Sequence, residues 1–163
     1  MEIVKISEDK EKYIPLLLVG DEEEAMIMRY LSRGVLFVMR DGETALCAAV
    51  VTDEGGGTAE LKNISVAPER QRRGHGRAMM EFIERHCRGR GFSELILGTG
   101  ETPPTLGFYE SCGYSVFRRE RDFFTKHSRR PIIDGGVLLR TTIYLKKKLK
   151  RQKAHTIHGK TPA

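Results

Sequence analysis

Between Ile64 and Ala78 the chain reads Ile-Ser-Val-Ala-Pro-Glu-Arg-Gln-Arg-Arg-Gly-His-Gly-Arg-Ala. An apolar, β-branched run stops at Pro68. Arg70, Arg72, Arg73 and Arg77 then crowd a short loop with Gly74 and Gly76, and a helical pattern follows at once. Residues of these types at this spacing suit anion binding. The first N–H groups of a helix have no partner within it, and the helix dipole adds partial positive charge there. Glycines lack a Cβ, so a phosphate can approach the main chain closely. Guanidinium forks match phosphate oxygens in shape and charge. The nucleotide loop Gly-x-x-x-x-Gly-Lys-Ser/Thr is absent, and the dinucleotide fingerprint requires glycine or alanine where Met79 stands. The loop is therefore predicted to hold a phosphorylated ligand by neither of those two routes.

Val66-x-Pro68 followed by Gln71-x-x-Gly74-x-Gly76 resembles the acetyl-CoA-binding motif of the GNAT superfamily of N-acetyltransferases, whose pattern is Gln/Arg-x-x-Gly-x-Gly/Ala. Downstream, Phe108-Tyr109-Glu110-Ser111-Cys112-Gly113-Tyr114 resembles the family's Phe/Leu-Tyr-x-x-x-Gly-Phe/Tyr signature. The resemblance runs in element order from Glu2 to Leu149 and is specific between Glu60 and Tyr114. It implies acetyl-CoA as co-substrate, with its pyrophosphate on the loop formed by Gln71, Arg72, Arg73, Gly74, His75, Gly76 and Arg77. It implies that the pantetheine arm lies along Ile64, Ser65 and Val66, where an amide near Val66 would stabilise the oxyanion of a tetrahedral intermediate. Thr102 stands where many members carry an asparagine that contacts the pantetheine. The implied reaction is direct attack by a neutral primary amine on the thioester, in a ternary complex.

Two proton tasks follow from that reaction. By resemblance, Tyr109 protonates the departing thiolate; core packing is its alternative use. Glu60 lies eleven residues before Gln71, where some members place a carboxylate base acting through water. In an unbulged strand Glu60, Lys62, Ile64 and Val66 share a face. A bulge would reverse that arrangement and make Asn63 and Ser65 the polar candidates for the cleft. An ion pair with Lys62 or Arg40 is the alternative use of Glu60.

The elements that must position these residues are readable in outline. Ile3 to Ile6 is a short strand, and Glu8 to Leu18 is helical, with Pro15 forcing a bend or a restart. Asp21-x-x-Glu24 resembles a capping box for a helix from Glu22 to Arg33, with Gly34 as its C′ residue. Val35 to Met39 and Thr44 to Thr52 form a hairpin about Asp41-Gly42. Asp53 to Gly57 is a looser turn before a strand from Thr58 to Val66. The helix after Gly74 is expected to bury Ala78, Met79, Phe82, Ile83 and either His86 or Cys87, and to end near Gly89 or Gly91. A strand over Glu94 to Leu97, a short helix through Tyr109, and late strands at Tyr114 to Arg118 and Val137 to Leu149 complete the series. This order predicts a single α/β (α+β) domain over residues 1–149, with a mixed, mostly antiparallel twisted sheet flanked by helices.

The 163 residues suffice for one domain with a core, and no apolar run approaches the roughly 20 residues of a membrane helix. The net charge is +6, but Lys146, Lys147, Lys148, Lys150, Arg151, Lys153 and Lys160 account for it: subtracting these seven from +6 leaves −1. Residues 150–163 are thus expected to form a flexible basic tail. Three widely spaced cysteines and no secretory leader pattern point to a reduced, cytoplasmic protein. No metal-ligand spacing occurs. The expected partner is a small-molecule or peptide amine. The acids Asp21 to Glu24 would attract a cationic amine or simply favour a helix start. The long loop with Phe123, Phe124, His127, Arg129, Arg130 and Asp134 is a further acceptor candidate. Aromatic content of 7% without tryptophan argues against an RNA platform. The apolar stretch from Val137 to Leu145 would suit a homodimer. A non-catalytic module that binds acyl-CoA, nucleic acid or a partner protein on the same fold is the alternative reading.

Overall fold

The computed structural model describes residues 1–123, 133–134 and 137–150. Contacts divide the chain into two compact units, residues 1–95 with the stretch from Lys148 onward, and residues 96–147. The loop that sequence patterning assigns to residues 122–136 and the basic tail lie largely outside the described residues.

In the first unit, strands β1 (Glu2–Ile6), β2 (Val35–Asp41), β3 (Thr44–Gly55) and β4 (Thr58–Val66) pair antiparallel in chain order. The first hairpin turns at Gly42 (φ 61°) and the second at Gly56 and Gly57 (φ 62° and 85°), left-handed values that glycine adopts without penalty. One sheet face buries Leu36, Val38, Ala48 and Val50 against Ile14 and Leu17 of α1 (Ile14–Leu17) and Ile27, Tyr30 and Leu31 of α2 (Glu24–Arg33). The opposite face packs on α3 (His75–Gly89), where Phe37 meets Phe82 and His86 edge-on at 5.1 and 4.8 Å. Helix α3 follows the expected stripe through Met79, Ile83 and Cys87, but Ala78 is exposed and Met80 takes the buried place beside Met79.

Pro15 restarts the first helical segment, one of the two outcomes expected of it: a 3-10 turn (Lys10–Tyr13) gives way to the short α1. Two local expectations are revised. Helix α2 starts at Glu24 without a capping box. The Asp21 carboxylate accepts the Glu23 N–H at 3.1 Å through one oxygen and the Tyr30 hydroxyl at 2.9 Å through the other. Gly34 ends α2 in extended rather than left-handed conformation (φ −101°, ψ 176°). Space explains the glycine, because a Cβ there would lie 2.7 Å from Val50 Cγ1 and 2.8 Å from the Tyr30 carbonyl.

In the second unit, α4 (Pro103–Ser111) precedes the antiparallel pair β6 (Ser115–Phe123) and β8 (Val137–Lys148), with β7 (Ile133–Asp134) also on β8. Strand β5 (Glu94–Gly100) begins in the first unit and runs from Ile96 in the second. Its Gly98 admits the Tyr144 ring: a Cβ would sit 2.8 Å from that ring, and a glycine in a strand commonly marks such close approach.

Candidate active site

The decisive irregularity is in β4. Val50 pairs with Asn63 and Val51 with Leu61, so Lys62 has no opposite number. This is a β-bulge, and it changes which face each side chain takes. Asn63 and Ser65 share the α1/α2 face with Val50 and Ala48. Beyond the bulge Glu60, paired with Thr52, returns to that same face, while Ile64 and Val66 look to the α3 face. The unbulged arrangement that groups Glu60 with Ile64 and Val66 is therefore corrected. The Glu60 carboxylate is half-buried and paired with Lys62 Nζ at 3.0 Å.

Asn63 (5% exposed) and Ser65 (1%) are buried and hydrogen-bonded, as buried polar groups must be. Asn63 Nδ2 donates to the Leu17 carbonyl at 2.9 Å and to Tyr30 Oη at 3.0 Å. Ser65 Oγ lies 2.6 Å from Asn63 Oδ1 and 3.2 Å from the Leu17 carbonyl. With the Tyr30–Asp21 bond, this network ties the end of α1 and the start of α2 to the strand that carries Glu60. Burial, with Asp21 adding to it, raises the Tyr30 hydroxyl well above the usual phenol range. Tyr30 is absent from the sequence-based candidates, and Asp21 figures there only among the acids Asp21 to Glu24. The signal for their network was Asn63-x-Ser65, two uncharged polar residues in the apolar end of the strand.

The main chain of β4 is equally specific. Ala67 N–H donates to the Leu46 carbonyl on β3 at 2.9 Å. Amides alternate in direction along a strand, so those of Val66 and Ile64 point to the edge away from β3. The chain then makes a 3-10 turn at Pro68–Arg70 and enters the arginine loop. Arg72 adopts φ 64° and Gly74 φ 85°. A non-glycine residue held left-handed is uncommon and concentrates at ligand sites. Residues that alternate into the left-handed region turn successive amides inward as a nest for anions. The first helical bond of α3, Ala78 N–H to the Gly74 carbonyl at 3.0 Å, leaves the amides of His75 and Gly76 on the open helix end. A Cβ on Gly74 would meet nothing within 4 Å, so its surface is open. These groups have the form of an anion-binding site. Gln71 does otherwise: its Nε2 donates to the Val66 carbonyl at 3.1 Å and fixes the strand end.

Tyr109 and Thr102 belong to the second unit. Thr102 is the N-cap of α4, and its Oγ1 accepts the Thr105 N–H at 3.3 Å while the Thr105 hydroxyl accepts the Thr102 N–H at 3.2 Å. Tyr109 is 8% exposed and packs edge-on against Phe108 and Tyr114 at 5.0 and 6.1 Å. Gly113 (φ 96°) ends this helical segment, and Tyr114 N–H donates to the Tyr109 carbonyl at 3.0 Å.

Comparison with known proteins gives the family. The model of the acetyltransferase (GNAT) family matches residues 6–114. The chain belongs to the GNAT acetyltransferase family. The uncharacterized N-acetyltransferase YvbK of Bacillus subtilis is 25% identical over 139 residues, which span 85% of this chain and 90% of that protein. Among solved structures, an IAA acetyltransferase from Bacillus cereus ATCC 14579 is 31% identical with a TM-score of 0.79, covering 91% of this chain and all of the other. A Bacillus subtilis acetyltransferase in complex with CoA is 25% identical with a TM-score of 0.81, covering 91% and 99%. The mixed α/β fold with a largely antiparallel sheet is that of these acetyltransferases. The protein is an acyl-CoA-dependent N-acetyltransferase, with acetyl-CoA as its co-substrate. Among the described residues no cluster of histidine, cysteine or acids is arranged to hold a metal ion, and no helix is long and apolar enough to cross a membrane.

Proposed function

We propose that this GNAT acetyltransferase moves an acetyl group to a primary amine by direct attack in a ternary complex. The amides and guanidinium groups of the loop from Gln71 to Arg77 hold the pyrophosphate, and the side of β4 that faces away from β3 at Ile64 to Val66 receives the pantetheine. The observation that carries this reading is the joined geometry of that side and the loop: outward amides at Ile64 and Val66, then left-handed Arg72 and Gly74, then the open end of α3. A fixed N–H aimed at the thioester oxygen stabilises the charge that develops as the amine adds. Tyr109 donates the proton that the departing sulfur takes up.

Glu60 collects the proton lost by the amine, through water. Distance supports the water. Ile64 is four residues from Glu60, on the order of 13 Å along a strand, well beyond direct hydrogen-bond reach. The bulge supports the direction, since it puts Glu60 on the α1/α2 face with Asn63 and Ser65. The acceptor therefore approaches from the side where Asp21 and Tyr30 anchor the turn before α2. The enzyme is read as cytoplasmic, in keeping with cysteines that form no disulfide among themselves.

Thermal melting with acetyl-CoA tests the donor half. A ligand specific for the native state at about one hundred times its Kd adds about 2.7 kcal/mol, or roughly 5–10 °C for a chain of this length. No shift at millimolar acetyl-CoA overturns the reading. An acetyl-transfer screen over polyamines, aminoglycosides, amino acids and peptide N-termini tests the acceptor half. It includes IAA, since two of the similar proteins are named for it.

A further inference from the structure

A second β-bulge lies in the pair β6–β8. Val116 stands opposite Leu145 and Arg118 opposite Tyr144, so Phe117 is passed over. Unbroken pairing would set Arg118 opposite Ile143 instead, on the face that α4 takes. Ile143 and Leu145 are fully buried on that face, and Lys147 Nζ reaches the Cys112 carbonyl at the end of α4 at 2.8 Å. The bulge turns Arg118 to the opposite face. Bulges are over-represented beside active sites, where they re-aim a side chain.

There the guanidinium is held in place. Gly98 of β5 lets the Tyr144 ring lie close to its main chain, since a Cβ would fall 2.8 Å from Tyr144 Cε1. Arg118 covers the same ring, with its Cζ 4.2 Å from the ring centre. Tyr144 Oη donates to Glu120 Oε1 at 3.3 Å, and Glu120 Oε2 lies 3.5 Å from Arg118 Nη1. Ring and carboxylate together orient the guanidinium, yet the Arg118 side chain is 54% exposed. One pairing at 3.5 Å engages a small part of a fork with five N–H donors. Gly98, Arg118, Glu120 and Tyr144 all belong to the second unit.

We propose that Arg118 is a specificity-determining residue that binds a carboxylate on the acceptor, which makes the acceptor an amino acid. This rests on the amine-acetylation reading and names the class of amine. In this unit Tyr109, the proton donor to sulfur, comes from α4. The amine is left the opposite face, the one to which the bulge turns Arg118. A planar guanidinium matches a carboxylate with two parallel hydrogen bonds. A doubly charged phosphate would meet the Glu120 carboxylate beside the fork, which favours a ligand group with a single negative charge. Polyamines and aminoglycosides, cationic throughout, would meet a like charge at Arg118.

The test measures acetyl transfer to the common amino acids and to their carboxamides, which keep the amine and lose the carboxylate. Wild type, Arg118→Met and Arg118→Lys are compared, with unliganded melting and acetyl-CoA calorimetry alongside. The readout is the ratio of kcat/KM for acid over amide, in which the differing basicity of the two amines cancels between variants. Arg118→Met is expected to lower that ratio about tenfold or more, the span of a charge-assisted hydrogen bond. The loss should fall on KM for the acid rather than on kcat. Arg118→Lys, which keeps the charge without the fork, is expected to recover only part of it. A stack that serves the fold alone predicts otherwise: Arg118→Met would lower the melting temperature and slow acid and amide alike. That result overturns the proposal, as does an acid-to-amide ratio that Arg118→Met leaves unchanged. Wild type that binds acetyl-CoA but acetylates no amino acid overturns this proposal alone. Wild type that fails to bind acetyl-CoA overturns the acetyltransferase reading, and this proposal with it.

Discussion

Gly20→Ala adds one methyl group where the turn after α1 meets β4. A Cβ at residue 20 would lie 2.6 Å from Ser65 Oγ, 2.9 Å from the Ile64 carbonyl oxygen and 3.0 Å from Asn63 Oδ1. Against an ordinary contact of 3.4 Å, the shortfalls are 0.8, 0.5 and 0.4 Å. The Ile64 oxygen belongs to the backbone of a paired strand and cannot turn aside. Ser65 can rotate, but it then abandons Asn63 Oδ1 and the Leu17 carbonyl. A buried hydroxyl left unsatisfied costs about 1–3 kcal/mol, and overpacking a filled site costs about 1–3 kcal/mol. The expected loss is about 2–6 kcal/mol. At roughly 2–4 °C per kcal/mol for a chain of this length, the melting temperature should fall by about 4–24 °C. Thermal and urea unfolding read this directly. Ser65→Ala in the same background removes the shortest contact, so the double variant should lose less than the sum of the two single losses. A Gly20→Ala protein that melts within about 2 °C of wild type refutes the reasoning. So does strict additivity of the pair, because the network would then not be what the methyl group disturbs.

Tyr109→Phe should lower kcat more than it raises KM in steady-state acetyl transfer, since a proton donor acts only as the sulfur departs; an unchanged kcat removes Tyr109 from that role. Gly74→Ala meets no neighbour but forces a left-handed alanine, which costs about 1–2 kcal/mol. Unfolding titration should show that loss, and calorimetry should show a further loss of CoA affinity. Burial raises the Cys47 thiol to about 12 and the Cys87 thiol to about 11, so native protein at pH 8 should be alkylated at Cys112 alone, read by mass spectrometry before and after unfolding. These folded values lie above the unfolded thiol value near 9, and Tyr30 lies above its own near 10. Their contribution is therefore complete below pH 9 and declines as pH rises toward the folded values, so urea midpoints should fall between pH 9 and 11.

Where sequence and structure part is instructive in β4. The strand from Thr58 to Val66 was legible residue for residue, because apolar and β-branched residues lie between glycine turns on one side and Pro68 on the other. Its bulge was not legible. Lys62 is an ordinary strand residue, and only pairing with β3 shows that Val50 and Val51 skip it. That skip moves Glu60 to the face of Asn63 and Ser65, and so alters its relation to Ile64 and Val66. The same limit applies to Gln71. Its place in the motif was plain, but the bond from its side chain to Val66 needs the chain to fold back through five residues.

The sequence alone carried the signature of the family and of its acetyl-CoA co-substrate. Loop glycines, guanidinium groups and a helix start are local features, and local spacing is enough to turn amides and charge toward a phosphate. It also determined the helix stripe through Met79, Ile83 and Cys87, because the helix period is intrinsic to the chain. The tertiary structure alone decided how the carboxylate at residue 60 faces, which polar groups satisfy one another beneath it, and which face Arg118 takes. Those outcomes depend on register between strands and on close packing across long sequence separations, as where Gly20 meets Ser65. No local spacing encodes them, since each is fixed by the second segment that arrives against the first.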